Sequence, residues 1–250
     1  MISPLTIDVP STHPRYLSLM AREKIVHGVE RGITSPHGLI AHGRGEAFDY
    51  LLGEMTHPFA AAAVEAGCAL LLAAAHPVIS VNGNACAMAA EALVALAEAC
   101  GAALEVNIFH TSAQREKAIC QALLDAGAKD VLLPSRTHAL EHIDHNRRWV
   151  HPDGIHRADV VCVPLEDGDR CQALIKNGKR VVTIDLNPLS RTARAATVTI
   201  VDNLMRCLPL MVERTQSLRS ESVERLAAIT RAWDNAAALQ AAETAMRRPV

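Results

Sequence analysis

Apolar residues recur at helical spacing through the first third of the chain. Helices are expected from the Ser11-Thr12-His13-Pro14 cap to about Arg31-Gly32, from about Gly45 to Gly53, and over the alanine-rich residues 59–75. The first ten residues read as irregular. From His76 the period changes: short β-prone runs at 78–81, 104–109, 130–133, 159–163 and 180–184 alternate with helical patterns at 89–100, 112–126 and 168–177. That alternation predicts βαβ units around a parallel sheet. After Asn203 the period is helical again, with Leu204, Leu208, Met211 and Val212 on one face and then a charged helix over 220–247. The fold class is therefore α/β: a Rossmann-like parallel sheet flanked by helices. One domain over 1–250 is expected, with a helical N-terminal region (1–75), the sheet core (76–203) and C-terminal helices (204–250).

The run at 180–184 empties into Asp185-Leu186-Asn187-Pro188-Leu189-Ser190-Arg191-Thr192-Ala193-Arg194, and a second β-rich run, 197–203, follows. Such an apolar run fits an internal parallel strand, and ligands of open α/β sheets gather where these strands end. Asp185 and Asn187 can hold ribose hydroxyls or a magnesium shell, and arginines clamp phosphates with a planar fork of donors. The segment has the chemistry of a nucleotide-phosphate site.

Four other constellations carry candidate chemistry, each with a structural alternative. Glycines flank Arg44 in His42-Gly43-Arg44-Gly45, so the backbone could approach an anion at the start of a helix; a capped turn with a solvated arginine is the alternative. Arg22 lies within roughly 60° of Leu19, Ile25, Val26 and Val29 on a helical wheel, so a phosphate or a distant carboxylate should face it. Asn82-Gly83-Asn84 closes the first β-prone run, as a ligand-binding or a plain Asn-Gly turn. Glu166-Asp167-Gly168-Asp169 closes another, with carboxylates for an amine or hydrated magnesium, or for capping the next helix.

Composition removes several classes. A formal net charge of -2 and only seven aromatic residues argue against a nucleic-acid partner. Seven scattered cysteines without a CxxC pair are expected to be reduced structural thiols, and His142-Ile143-Asp144-His145 is too loose for a strong metal motif. The longest apolar run, near 68–75, is too short to span a bilayer, so no membrane association and a cytoplasmic location are expected.

The blocks at 11–33 (STHPRYLSLMAREKIVHGVERGI), 38–54 (GLIAHGRGEAFDYLLGE), 77–84 (PVISVNGN), 158–170 (ADVVCVPLEDGDR) and 184–203 together resemble the archaeal-type 4-phosphopantoate:beta-alanine ligases, or phosphopantothenate synthetases. They cover most of the first 215 residues in the family's order, while 135–148 and the tail after Ser220 match less distinctly. The resemblance implies an ATP-dependent joining of 4-phosphopantoate to beta-alanine, through an acyl adenylate, with AMP and pyrophosphate released on the route to coenzyme A. It implies ATP contacts at Arg22, Arg44, Asp185, Leu186, Asn187, Arg191, Thr192, Asn203 and Leu204, with Mg2+ bridging ATP oxygens. Arg15 or Arg194 would serve the phosphate of the acid, Asn82, Asn84 and Asp167 the substrates, and Arg44 and His42 catalysis, His42 by taking a proton from the amine. A homodimer is expected. The alternatives are a related ligase using another acid or amine, a non-catalytic nucleotide sensor, and a nicotinamide-dependent dehydrogenase, against which the missing GxGxxG counts.

Overall fold

The computed structural model describes residues 9–248; residues 1–8, within the stretch expected to be irregular, lie outside the described residues. Three helices come first: α1 (Tyr16–Glu30), α2 (Pro36–Leu51) and α3 (Pro58–Leu72). The chain then builds β1 (Pro77–Val81), α4 (Gly83–Cys100), β2 (Ala103–Val106), α5 (Ala113–Asp125), β3 (Val160–Pro164), α6 (Gly168–Lys176), β4 (Arg180–Ile184), α7 (Arg191–Ala195) and β5 (Val198–Ile200). Helices α8 (Leu204–Leu218), α9 (Val223–Ala232) and α10 (Asn235–Met246) follow.

The five strands are parallel and lie in the order β2-β1-β3-β4-β5. Successive side chains alternate between two apolar layers. Ile79, Val81, Cys162, Val182 and Ile184 face a large core built with α3, α4 and α8, while Val78, Val161, Val163 and Val181 face a smaller one with α6. Burial on both faces is why β3 and β4 read as unbroken apolar runs. β4 is internal, paired to β3 and β5, as the 180–184 run predicts.

Several boundaries differ from the sequence reading. α2 begins at Pro36, after Ser35, rather than near Gly45: proline fits the first helical turn, where its missing N–H costs nothing. Gly43, Arg44 and Gly45 are therefore interior to a helix. α4 begins at Gly83, and Ala89, where a helix was expected to start, is a kink with φ −150° and ψ 41°. The full α4 is long and apolar enough to cross a membrane by length and composition, unlike the run at 68–75, but it packs inside the core against α8, α1 and α5. Residues 130–133 form no strand; Leu132 makes one isolated bridge to Glu105 of β2. The expected terminal helix is two helices, broken at Trp233 and Asp234.

All seven cysteines are free and six are buried, and burial pushes the Cys68 and Cys86 thiols up to about 12. They fill the core rather than act as nucleophiles.

Candidate active site

After β1 the chain crosses to β2 on one side, whereas β3 lies on the other, so the sheet's topological switch point is the crevice beyond the carboxyl ends of β1 and β3. Asn82 bridges those ends: its Nδ2 donates to the carbonyls of Pro164 (2.8 Å) and Leu165 (3.2 Å), while its Oδ1 accepts from the Ala85 N–H (3.0 Å). Leu165 has a left-handed φ of 55°, which for so bulky a residue costs about 1–3 kcal/mol. The bond from its N–H to the Ile184 carbonyl (3.0 Å) helps hold it there, and the turn carries Glu166 into the crevice.

A cleft of about 320 Å³ opens at this point between the strand ends and α2. Four helices begin on its wall: α2 after Ser35, α4 after Asn82, α6 after Asp167 and α8 after Asn203. Helix N-termini present unpaired N–H groups and partial positive charge, so their convergence favours an anionic ligand.

The floor is a buried ionic cluster. Arg147 donates to both oxygens of Glu166, to Asp167 Oδ2 (2.9 Å) and to Asn107 Oδ1 (3.0 Å). Arg170, fully buried, donates to Glu166 from the other side. These pairs join the ends of β2 and β3 beneath the cleft. Charges taken out of water are tolerated only when paired, and Glu166 supplies that pairing for Arg170, whose Nε and Nη2 are buried without a hydrogen-bond partner among the described residues.

His42, Arg44, Asn82, Asn84, Asp167, Leu186, Asn203 and Leu204 all line the cleft. Arg44 is exposed, has no carboxylate partner among the described residues, and is close enough to Asp185 to draw its pKa down against the upward push of burial. His42 Nε2 is buried with no hydrogen-bond partner, and burial lowers the pKa of the ring against the pull of Glu46. The asparagines are committed to building the site. Asn84 accepts from Thr34 Oγ1 and donates to the Gly38 carbonyl (2.9 Å), and Asn203 caps α8 and donates to Asp49 Oδ2 (2.9 Å). Asp167 likewise caps α6.

Gly38 is required where Asn84 packs against α2, since a Cβ there would collide with the side chains of Asn84 and Thr34. Gly43 meets nothing within 4 Å. The backbone around Arg44 does not open a helix toward an anion, because its N–H groups lie inside α2, where intrahelical bonds occupy them.

Arg15, Arg22, Asp185, Asn187, Arg191, Thr192 and Arg194 are not among the lining residues. Arg22 stands beside the buried Ser18-Ala21-Ile25-Gly28 stripe rather than in it, and forks onto Glu46, whose side chain reaches the cleft. Arg15 is held by Glu54 (2.8 Å) and Glu46 (3.2 Å). Asp185 accepts from the Asn187 N–H (2.9 Å) and Ser190 Oγ (2.5 Å), closing the turn after β4. Arg191 pairs with Asp169 (2.7 Å) at the surface, Thr192 Oγ1 donates to the Glu166 carbonyl (3.0 Å), and Arg194 is exposed on α7.

Sequence reasoning missed Arg115, Arg147, His37 and His110, all of which line the cleft. Arg147 lies in the segment 135–148, which has no period to read, and its partners are Asn107, 40 positions earlier, and Glu166, 19 later. Only folding joins them.

A family model described as Phosphopantothenate/pantothenate synthetase matches residues 59–249. The chain is 51% identical over 228 residues to a 4-phosphopantoate--beta-alanine ligase of Methanosarcina mazei, covering 91% of this chain and 90% of the relative. It is 48% identical over 230 residues to the protein of that name from Thermococcus kodakarensis, covering 92% and 88%. With that of Methanospirillum hungatei it shares 52% over 200 residues, covering 80% and 82%.

Proposed function

The chain belongs to the phosphopantothenate/pantothenate synthetase family, and from that premise we propose that it condenses 4-phosphopantoate with beta-alanine, using ATP, to give 4'-phosphopantothenate, AMP and pyrophosphate. The observation that carries this reading is the switch-point cleft on which four helices begin and into which Arg44 projects without a carboxylate partner among the described residues. Such a site suits polyphosphate.

The nucleotide would lie on the β4 side, against Arg44, the Asp185-Leu186-Asn187 turn and the Asn203-Leu204 start of α8. Arg22 and Arg191 would join it by exchanging partners. The Arg191–Asp169 pair, exposed on both sides, is of the surface kind worth about 0–1 kcal/mol, and on release of Arg22 the mostly buried Glu46 keeps Arg15 and Ser18 as partners, so a phosphate competes for both arginines. Magnesium fits the donor set only as a companion of the nucleotide. No group of three or more His, Cys, Asp or Glu side chains able to hold a metal occurs among the described residues, and Mg2+ retains waters while taking one or two carboxylates. Asp167, partly exposed in the cleft, suits that part, and the ion would offset charge between phosphates.

In the reaction, a carboxylate oxygen of the acid attacks the α-phosphorus of ATP, and the bond to pyrophosphate breaks. The amine of beta-alanine then attacks the acyl carbon, the bond to AMP breaks, and one proton leaves the nitrogen. His42 supports that last transfer: its unpartnered Nε2 and lowered pKa keep it a neutral acceptor near pH 7. Arg44 supports the first step by offsetting charge on the phosphates as it develops. The exposed apolar side chains of Leu17, Ile40, Tyr50 and Leu51 on α1 and α2 support association of two copies, a homodimer.

The test is product analysis with each substrate omitted in turn. AMP should form only when acid, amine and ATP are all present, and ATP–pyrophosphate exchange should need the acid but not the amine. Release of ADP would refute the adenylate route.

A further inference from the structure

The cleft-lining arginines divide by what they face. Arg147 is neutralised by Glu166 and Asp167, whereas Arg44 and Arg115 have no carboxylate partner among the described residues. Arg44 belongs to the β4 side, since Gly45 lies against Leu186 Cδ1 (3.8 Å from a Cβ built there) and its charge acts on Asp185. Arg115 belongs to the opposite side. It rises from the first turn of α5, half-buried, with Nη1 donating to the His110 carbonyl and Nη2 to that of Ile33 (3.2 Å). The guanidinium lies over Gly83, where a Cβ would come within 3.1 Å of Nη2.

Two carbonyls fix this fork but do not neutralise it. Nε is buried without a partner, and burial alone accounts for the lowered pKa of Arg115. Beside it the imidazoles of His37 and His110 stack with centroids 4.5 Å apart, and both line the same end of the cleft. A guanidinium held half out of water with donors unfilled is costly unless an anion completes it.

We propose that Arg115, assisted by His37 and His110, receives the phosphate of the acid substrate and makes the enzyme select a phosphorylated over an unphosphorylated acid. This rests on the ligase reading, in which the nucleotide occupies the Arg44 side. The strand order puts β1 and β2 on one flank of the switch point and β3 and β4 on the other, so the two phosphorylated ligands meet separate cations and repel each other less. The acid's carboxylate, at the other end of its chain, is then directed toward the nucleotide.

The experiment uses the full chain, Arg115→Gln and Arg115→Lys, with 4-phosphopantoate and pantoate as paired acids. Arg115→Gln should raise KM for 4-phosphopantoate by roughly 10- to 100-fold, the value of one or two charge-assisted bonds. The preference for the phosphorylated acid, as a ratio of kcat/KM values, should collapse by the same factor while ATP affinity stays within about twofold. Arg115→Lys should recover part of the preference, because an ammonium supplies charge without the fork. It also carries the test should the glutamine variant not fold. An unchanged ratio overturns the inference, even if both acids react more slowly, since that is what a merely structural arginine would give; so does loss of ATP binding with the acid unaffected. Should the wild-type protein form no AMP from these substrates, the ligase reading falls and the site is judged by inorganic phosphate alone. Phosphate binding weakened about tenfold by Arg115→Gln then supports the subsite, and equal binding overturns it.

Discussion

Replacing Arg44 by alanine separates chemistry from stability more cleanly than any other change in the cleft. The side chain is exposed, forms no ion pair among the described residues, and sits in the interior of α2 between two glycines, Gly43 meeting nothing within 4 Å. No apolar contact is lost to a cavity, and alanine is the better helix former, so folding free energy should change by no more than about 0.5 kcal/mol. For a chain of this length that is a shift of roughly 1–2 °C in the melting temperature. The catalytic cost is of another order. A preorganised donor facing charge that grows in the transition state contributes about 2.7–4 kcal/mol, so kcat should fall by roughly 100- to 1,000-fold. Stopped assays of AMP release, run beside thermal melting, read both quantities on one preparation. Arg44→Lys should be intermediate. Turnover within about threefold of wild type would refute the assigned role, because less than 1 kcal/mol would then pass through this group. A large fall in melting temperature would refute the structural half of the argument.

Three further outcomes follow from the geometry. Gly83→Ala drives a Cβ into the Ile33 carbonyl and against Arg115, so overpacking should cost about 1–3 kcal/mol in thermal melting, and a wild-type melting point would show that the turn between α1 and α2 can give. Glu166→Gln takes from the buried Arg170 guanidinium its only carboxylate partner among the described residues and leaves Arg147 with Asp167 alone, at about 3–5 kcal/mol and on the order of 10 °C; an unaltered transition would mean the cluster is not what holds the β2 and β3 ends together. Burial pushes the Glu105 carboxyl up to about 7, against the N–H groups of Ile155 and His151 that it accepts. The folded protein thus keeps a proton that the unfolded chain loses near 4.5, so this stabilisation is complete below that pH and disappears as the pH rises through 7. Glu105→Gln should flatten the dependence by roughly 3 kcal/mol in urea unfolding, and parallel pH curves for variant and wild type would contradict the shift.

The strand at 180–184 and the polar turn after it are legible because two faces of burial impose an apolar run and Asp185-Leu186-Asn187 breaks it. Helix starts were harder to read. The pattern places a start near Gly45, yet α2 runs through it from Pro36, and it is Gly38 that lets α2 pass close to Asn84. The 130–133 run looked like a strand by composition, but one bridge to Glu105 is all that the edge beside β2 accepts.

By itself, then, the sequence determined what acts locally: the alternation of strands and helices, the two-faced burial of the sheet, and the polar turns that end its strands. Tertiary structure decided which charges are spent. Arg15, Arg22 and Arg147 are neutralised by carboxylates 19 to 39 positions away, whereas Arg44 and Arg115 line the cleft with no carboxylate partner among the described residues. An arginine's type fixes its charge, but whether that charge reaches a substrate depends on which carboxylates the fold brings within reach, and no local pattern encodes that.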